Sequence, residues 1–273
     1  MKTILVPCDF SGPAEEAFKF AVQIAGQSQG EIHVLYVIDI TFLRGNPTIS
    51  HSYAFNLSFL NEIEKEADQK FQIMCGKYAS TKVNVKFKHV ISSLTLEVEN
   101  YTKSNNIDLI IMGTHGEGNA AFGSNTEKIV RHASVPVLTL RRAPTKIKSI
   151  VLPVSINYPD AIFIKEVTGL QQFFKATIHL LFINTPLFFK SDPDSHNDLE
   201  QFAKEKGFTD CTANVRSDYT VEDGITHFAN EINADLIAIG THQWRGLAHF
   251  FIGSTTEDVV NHIKIPVWTF GIE

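Results

Sequence analysis

The chain has 273 residues, 44% apolar and 20% charged, which excludes a disordered chain and leaves room for one large core or two ordinary ones. Lysine and arginine total 24 against 30 aspartates and glutamates, a net charge of -6 without a long basic block, so nucleic acid and anionic membrane are poor electrostatic partners. Cys8, Cys75 and Cys211 are widely spaced and form no CxxC, a pattern of reduced thiols in the cytoplasm and not of a disulfide framework or a zinc site.

Taken in chain order, Thr3 to Pro7 is a short apolar run cut by proline and followed by Asp9, which predicts a strand and not a signal peptide. Ala14 to Ala25 predicts a helix from its three- and four-residue apolar spacing, and Glu31 to Ile38 a second strand. Thr41 to Asn56, with Gly45, Asn46, Pro47 and several Ser and His, reads as a loop, either a lid over a ligand crevice or a plain surface excursion. Helices are then expected over Phe59 to Tyr78, Leu94 to Lys103 and Thr126 to Arg131, and strands over Asn84 to Ile91, Leu109 to Gly113 and Val135 to Leu140. Nearly continuous Val/Ile/Leu runs separated by helices indicate parallel strands covered on both faces. No apolar stretch approaches the ~20 residues that cross a bilayer.

The same order then recurs. Lys2-Thr3-Ile4-Leu5-Val6-Pro7 matches Lys148-Ser149-Ile150-Val151-Leu152-Pro153, and Ile32-His33-Val34-Leu35-Tyr36 matches Ile178-His179-Leu180-Leu181-Phe182. Asp108 to His115 matches Asp235 to His242, with less chain between this block and the one before it in the second copy. A repeat of domain length is a duplication and not a solenoid. Two α/β domains follow, 1–143 and 147–273, each with a doubly wound, mainly parallel, five-stranded sheet, joined through the polar stretch Arg141 to Lys146 with its Pro144.

Each copy has a glycine-bearing loop after its fourth strand: Gly113-Thr114-His115-Gly116 running to Gly123-Ser124, and Gly240-Thr241-His242-Gln243 running to Gly253-Ser254. Glycine lets the main chain approach a ligand, and the N-terminus of the next helix offers free N–H groups to an anion. A lone glycine after a strand only makes a turn. Here the arrangement occurs in both copies, which favours a site, although common ancestry would also produce it.

Val6-Pro7-Cys8-Asp9-Phe10-Ser11, the strand ending in Gly113-Thr114-His115-Gly116, and Gly123-Ser124 followed by Val135-Pro136-Val137 together resemble the universal stress protein family, and the resemblance spans both copies. It implies Rossmann-like sheets of order 3-2-1-4-5 and a cytoplasmic, non-catalytic stress-response protein. It further implies an adenine nucleotide, ATP or AMP, with Mg2+ beside a triphosphate, and domains paired through their last strands within one chain, a homodimer being the other form of assembly. The nucleotide-binding residues it implies are Asp9, Gly113, Gly116, Gly123, Ser124 and Asn125 in copy one, and Gly240, Gly253 and Ser254 in copy two.

Neither copy keeps the family's loop whole. Six residues, not nine, separate Gly116 from Gly123, and Glu117 among them repels a triphosphate. Copy two keeps nine residues before Gly253 but carries Gln243 at the second glycine and Ser155 in place of Asp9. Copy one is therefore the expected nucleotide site. No lysine follows the glycines as in a Walker A loop, so strong triphosphatase chemistry is not expected. Two alternatives stand beside nucleotide response: an interaction module with decayed sites, and a weak ATP hydrolase.

Other residues have plainer expectations. His115 and His242 lie in the loops, without a second metal ligand at fixed spacing. His33 and His179, inside strands, are expected as hydrogen-bonded structural residues, and His132 and His262 near helix C-termini. Cys8 is expected to be packed. The pairs Phe173-Phe174, Phe188-Phe189 and Phe250-Phe251 are read as core or interdomain packing.

Overall fold

The computed structural model describes residues 1–39, 53–79, 81–114, 124–154, 161–187, 189–240 and 263–271. The chain divides into two compact units, Met1–Ala143 and Pro144–Glu273.

In the first unit, strands β1 (Thr3–Pro7), β2 (Glu31–Asp39), β3 (Asn84–Ser92), β4 (Leu109–Gly113) and β5 (Val137–Leu140) run in the order β3-β2-β1-β4-β5. Every described pairing among them is parallel. The central strands β1 and β4 are buried over almost their whole length because helices cover both faces. Edge strand β3 alternates instead, with Lys86 and Lys88 exposed between less exposed Val85 and Phe87, and the lysines discourage further strand addition. One face packs Leu5, Leu35, Ile110, Met112 and Val137 against Val98, Ile129 and Val130, from helices Leu94–Ser104 and Ser124–His132. Helices Gly12–Ser28 and Tyr53–Tyr78 lie side by side.

The second unit repeats this plan with β6 (Ser149–Pro153), β7 (Thr177–Asn184), β8 (Cys211–Ser217), β9 (Leu236–Gly240) and β10 (Val267–Phe270), in the order β8-β7-β6-β9-β10. Its pairings are again parallel. Helices Ala161–Phe174, Asp192–Lys206 and Val221–Glu231 connect the strands. Trp268 is 1% exposed and stands with Phe163 and Phe270, at ring separations of 6.0 and 6.1 Å.

Local chemistry fixes the helix ends. Ser11 Oγ accepts the Ala14 N–H at 3.4 Å, and Pro13 sits in the first turn, where no helical N–H is needed. Thr220 caps the Asp223 N–H at 3.0 Å, and Gly207 (φ 73) ends the helix that Ser191 starts. Left-handed residues fall at matching places in both units: Gln29 (φ 54) with Lys175 (φ 52), and Asn106 (φ 49) with Asn233 (φ 51). Asp108 and Asp235 do the same job twice. The Asp108 carboxylate accepts the N–H groups of Lys2 and Thr3 at 2.7 and 3.0 Å; Asp235 accepts those of Lys148 and Ser149 at 2.8 and 3.1 Å.

Several boundaries shift by one to three residues, as in helices Gly12–Ser28 and Ser124–His132, and two differences have a plain local cause. The helix expected from Phe59 begins at Tyr53, so Tyr53 to Asn56 are helical and not loop. That stretch contains no Gly or Pro; its polar neighbours had suggested the loop. Strand β5 starts at Val137 and not Val135, since Pro136 has no N–H to give and serves only as acceptor, from the Ile110 N–H at 2.9 Å. The remainder of the Thr41 to Asn56 segment lies outside the described residues.

Candidate functional site

In the order β3-β2-β1-β4-β5 the chain turns to opposite sides of β1, and ligands of open α/β sheets bind outside the strand C-termini at such a reversal. Cys8 and Asp9 leave β1 there, while Gly113 and Thr114 close β4. The Cys8 N–H extends the ladder to the Leu35 carbonyl, and the Thr114 N–H to the Leu140 carbonyl, both at 2.9 Å. The fold therefore brings together Asp9 and Gly113, two of the residues the sequence assigns to the site.

Asp9 is exposed, and its Oδ1 accepts the Ser11 N–H at 3.0 Å across a left-handed Phe10 (φ 61). This Asx turn aims the chain into helix Gly12–Ser28. Asp9 thus shapes the turn at the strand end, and Ser11 caps the helix that follows. The Phe10 ring joins an aromatic row, 5.4 Å from Tyr36 and 6.1 Å from Phe87, which stacks on Phe71 at 4.3 Å.

Gly113 has a packing reason of its own. A Cβ there would meet the Pro13 carbonyl carbon and oxygen at 2.3 Å and the Ala14 nitrogen at 2.7 Å. The end of β4 and the start of helix Gly12–Ser28 can touch this closely only without a side chain. Ser124 and Asn125 begin helix Ser124–His132, whose N-terminal N–H groups suit an anion. Gly116 and Gly123 lie outside the described residues.

The carboxylates of the neighbouring first turn are engaged within the unit. Glu15 accepts from the Tyr78 hydroxyl at 3.1 Å and Lys77 Nζ at 3.4 Å, and Glu16 from the Ala143 N–H at 2.7 Å. Burial pushes the Cys8 thiol up to about 12 and the Cys75 thiol up to about 11. Neither is a thiolate near neutral pH, so neither is poised as a nucleophile. No group of three or more His, Cys, Asp or Glu among the described residues forms a metal cluster.

In the second unit the corresponding step recurs, the Val154 N–H donating to the Leu181 carbonyl at 2.9 Å, and Gly240 is buried opposite Phe270. Ser155, Gln243, Gly253 and Ser254 lie outside the described residues, as do His115, His242 and His262.

Away from the strand ends, His33 and His179 are the hydrogen-bonded strand residues expected from the sequence, and the structure supplies their partners. His33, 3% exposed, places Nε2 2.9 Å from a Glu31 oxygen and Nδ1 3.1 Å from the Tyr101 hydroxyl. A carboxylate only accepts, so Nε2 carries the proton toward Glu31. Lys86 at 2.8 Å and His33 hold the Glu31 carboxyl down at about 2. His179 in the second unit meets Thr212 Oγ1 at 2.8 Å, and burial lowers its pKa against the opposing pull of Asp210. A further expectation is overturned: Phe189 is 75% exposed and is not a core residue. The apolar residues after β7 are displayed by a closed turn, which a hydrophobic pair in sequence does not reveal. Phe173 and Phe174 are half-buried and meet edge to face at 4.9 Å.

Two doubly wound parallel sheets, each reversing its strand order at the central pair, define a tandem α/β protein of the Rossmann-like class. The profile of the universal stress protein family matches residues 1–141 and 170–270, and the chain belongs to that family. Universal stress protein Slr1230 of Synechocystis sp. is 23% identical over 296 residues, covering 99% of this chain and 100% of that protein. The shorter universal stress protein MJ0577 of Methanocaldococcus jannaschii is 29% identical over 154 residues, covering 52% of this chain and 95% of its own length. Among solved structures, a universal stress protein from Archaeoglobus fulgidus shares the fold with a TM-score of 0.74 at 18% identity, covering 98% of both chains. A second, from Pseudomonas aeruginosa, has a TM-score of 0.65 at 21% identity over 99% of this chain and 93% of that one. Among the described residues no helix is long and apolar enough to cross a membrane.

Proposed function

We propose that this tandem universal stress protein is a cytoplasmic, non-catalytic stress-response protein that binds an adenine nucleotide, ATP or AMP, at the strand ends of its first unit. The observation that carries this reading is the exposed Asp9 carboxylate at the β1/β4 reversal, beside the close-packed Gly113 and the helix opening at Ser124. In this reading Asp9 accepts hydrogen bonds from the adenosine part. Main-chain N–H groups of the Gly113 to Ser124 loop and the helix N-terminus receive phosphate oxygens. Mg2+ accompanies a triphosphate, since no Walker A lysine is present to share its charge. Response without turnover fits a crevice whose described thiols are held protonated and whose nearby Glu15 and Glu16 are engaged elsewhere.

Titration calorimetry of the full chain with ATP, ADP and AMP, with and without Mg2+, tests the proposal. Binding is expected for wild type and a loss of about tenfold or more for Asp9→Ala, the scale of one charged hydrogen bond. Absence of heat at millimolar nucleotide would sink the nucleotide reading. Phosphate release abolished by Asp9→Ala would instead revive the weak hydrolase. The interaction-module reading keeps support from one observation, the apolar side chains exposed in the second unit.

A further inference from the structure

Ile162, Leu187, Phe189 and Tyr219 are 63, 78, 75 and 87% exposed. They are the large apolar side chains standing in solvent among the described residues of the second unit, and they are not scattered. Ile162 opens the helix that follows β6, Leu187 and Phe189 follow β7, and Tyr219 follows β8. All therefore sit at one end of the sheet, outside the strand C-termini. Strands β7 and β8 end in register at Asn184 and Ser217, and the Asp218 N–H donates to the Asn184 carbonyl at 3.0 Å, which sets the two following segments side by side.

The loops that present these side chains are braced. Asn184, 2% exposed, accepts the Lys190 N–H at 2.8 Å and donates to the Lys190 carbonyl at 2.6 Å, closing the turn that carries Leu187 and Phe189. The Lys190 ammonium is tied to the Asp198 carboxylate. Beside them Asp218 accepts from the Tyr219 N–H at 3.0 Å and meets His227 Nδ1 at 2.7 Å, fixing the backbone from which Tyr219 projects. Loose loops would fold their apolar groups inward. Here the hydrogen bonds hold them out, the preorganisation a binding surface needs.

The same end is acidic. Asp192 and Asp194 occupy the first turn of one adjoining helix, and Glu222 and Asp223 the first turn of the next. Asp194 and Asp223 also bond to Ser191 and Thr220, but their charge remains. We infer that this end of the second unit docks a cationic amphipathic helix of a partner protein, with Leu187, Phe189 and Tyr219 as apolar anchors and the surrounding carboxylates facing its lysines or arginines. A second copy of this chain is a poorer occupant, because a self-complementary contact sets the acidic rims against each other. An anionic lipid surface meets the same repulsion.

The test uses the full chain without nucleotide, so it stands or falls apart from the nucleotide reading. A labelled peptide of roughly 18 residues, about five helical turns, carries leucines on one face and lysines on the other. Its twin carries glutamates in place of the lysines. Fluorescence anisotropy should show the lysine peptide binding and the glutamate peptide not. The double variant Phe189→Ser, Tyr219→Ser should weaken binding about tenfold or more, as loss of aromatic anchors does. Leu96→Ser, at a 54% exposed leucine of the first unit, should leave it unchanged. Equal binding by the double variant, or equal binding of the two peptides, overturns the inference. So does a concentration-dependent dimer of wild type that the double variant abolishes, which would make the surface a contact between copies.

Discussion

His33 and His179 occupy the same register position in the two units, one on β2 beside β1 and one on β7 beside β6. In the first unit the imidazole is 3% exposed and bridges Glu31 and Tyr101; in the second, Thr177 and Phe228 stand at the corresponding sequence positions and the ring contacts Thr212 at 2.8 Å. The main-chain clamps behave differently. Asp108 and Asp235 make the same pair of bonds, and left-handed residues fall at the same places. Groups that complete the backbone ladder have little freedom to change, because one carboxylate at that place takes two main-chain N–H groups at once and the charge strengthens both bonds. Side-chain networks drift more freely, since both partners can be exchanged for apolar groups at small net loss.

The comparison can be broken at several strengths. The largest effect is expected from Gly113→Val, where new atoms collide with backbone at 2.3 Å; a loss of about 3 kcal/mol follows if the helix cannot shift. Hydrogen exchange should report that loss in the first unit and leave amides of the second protected. Next, His33→Ala should cost about 2–3 kcal/mol by emptying a buried site and leaving the Tyr101 hydroxyl without its ring partner, although Glu31 keeps Lys86 and Asn84; His179→Ala should cost under about 1 kcal/mol. Equal costs in denaturant melts would show that the two histidines are not differently used. Asp108→Ala and Asp235→Ala should each cost about 1–2 kcal/mol, and nearly the same amount, because each leaves two N–H groups without their carboxylate. A large inequality would contradict the common clamp.

The smallest effect depends on pH. The Glu31 carboxyl falls from 4.5 in the unfolded chain to about 2 in the folded one, through Lys86 and His33. Its contribution is therefore present above pH 4.5 and is lost as pH falls toward 2. Glu31→Gln should flatten the acid limb of the first unit over that window in stability-versus-pH curves. An unchanged limb would assign the acid sensitivity to other carboxylates.

Much of the frame was legible in sequence because its strands are almost unbroken Val/Ile/Leu runs; Thr3–Pro7 and Leu109–Gly113 emerge with their expected limits. Tyr53 to Asn56 were misread because serine and histidine nearby resemble loop composition, although no breaker lies among them. The reach of Glu31 to His33 is an i, i+2 relation on one strand face and was open to inspection. Tyr101, 68 residues away, became a partner only through packing. The position of Asp9 just after an apolar strand is plain in the sequence, but its bond to the Ser11 N–H needed the left-handed Phe10, which no propensity suggests for a bulky aromatic. Phe189 was misplaced because an aromatic pair looks the same in sequence whether a closing turn tucks it in or holds it out.

The left-handed Gln29 and Lys175 carry a consequence for the history and engineering of this protein. A side chain in that conformation is under steric pressure that glycine would relieve, and the pressure recurs at matching helix ends. Shared tension of this kind is most simply an heirloom of the single-domain ancestor, left unrepaired through two separate lineages within one gene. It offers two sites where thermal tolerance can be raised away from the C-terminal ends of the strands.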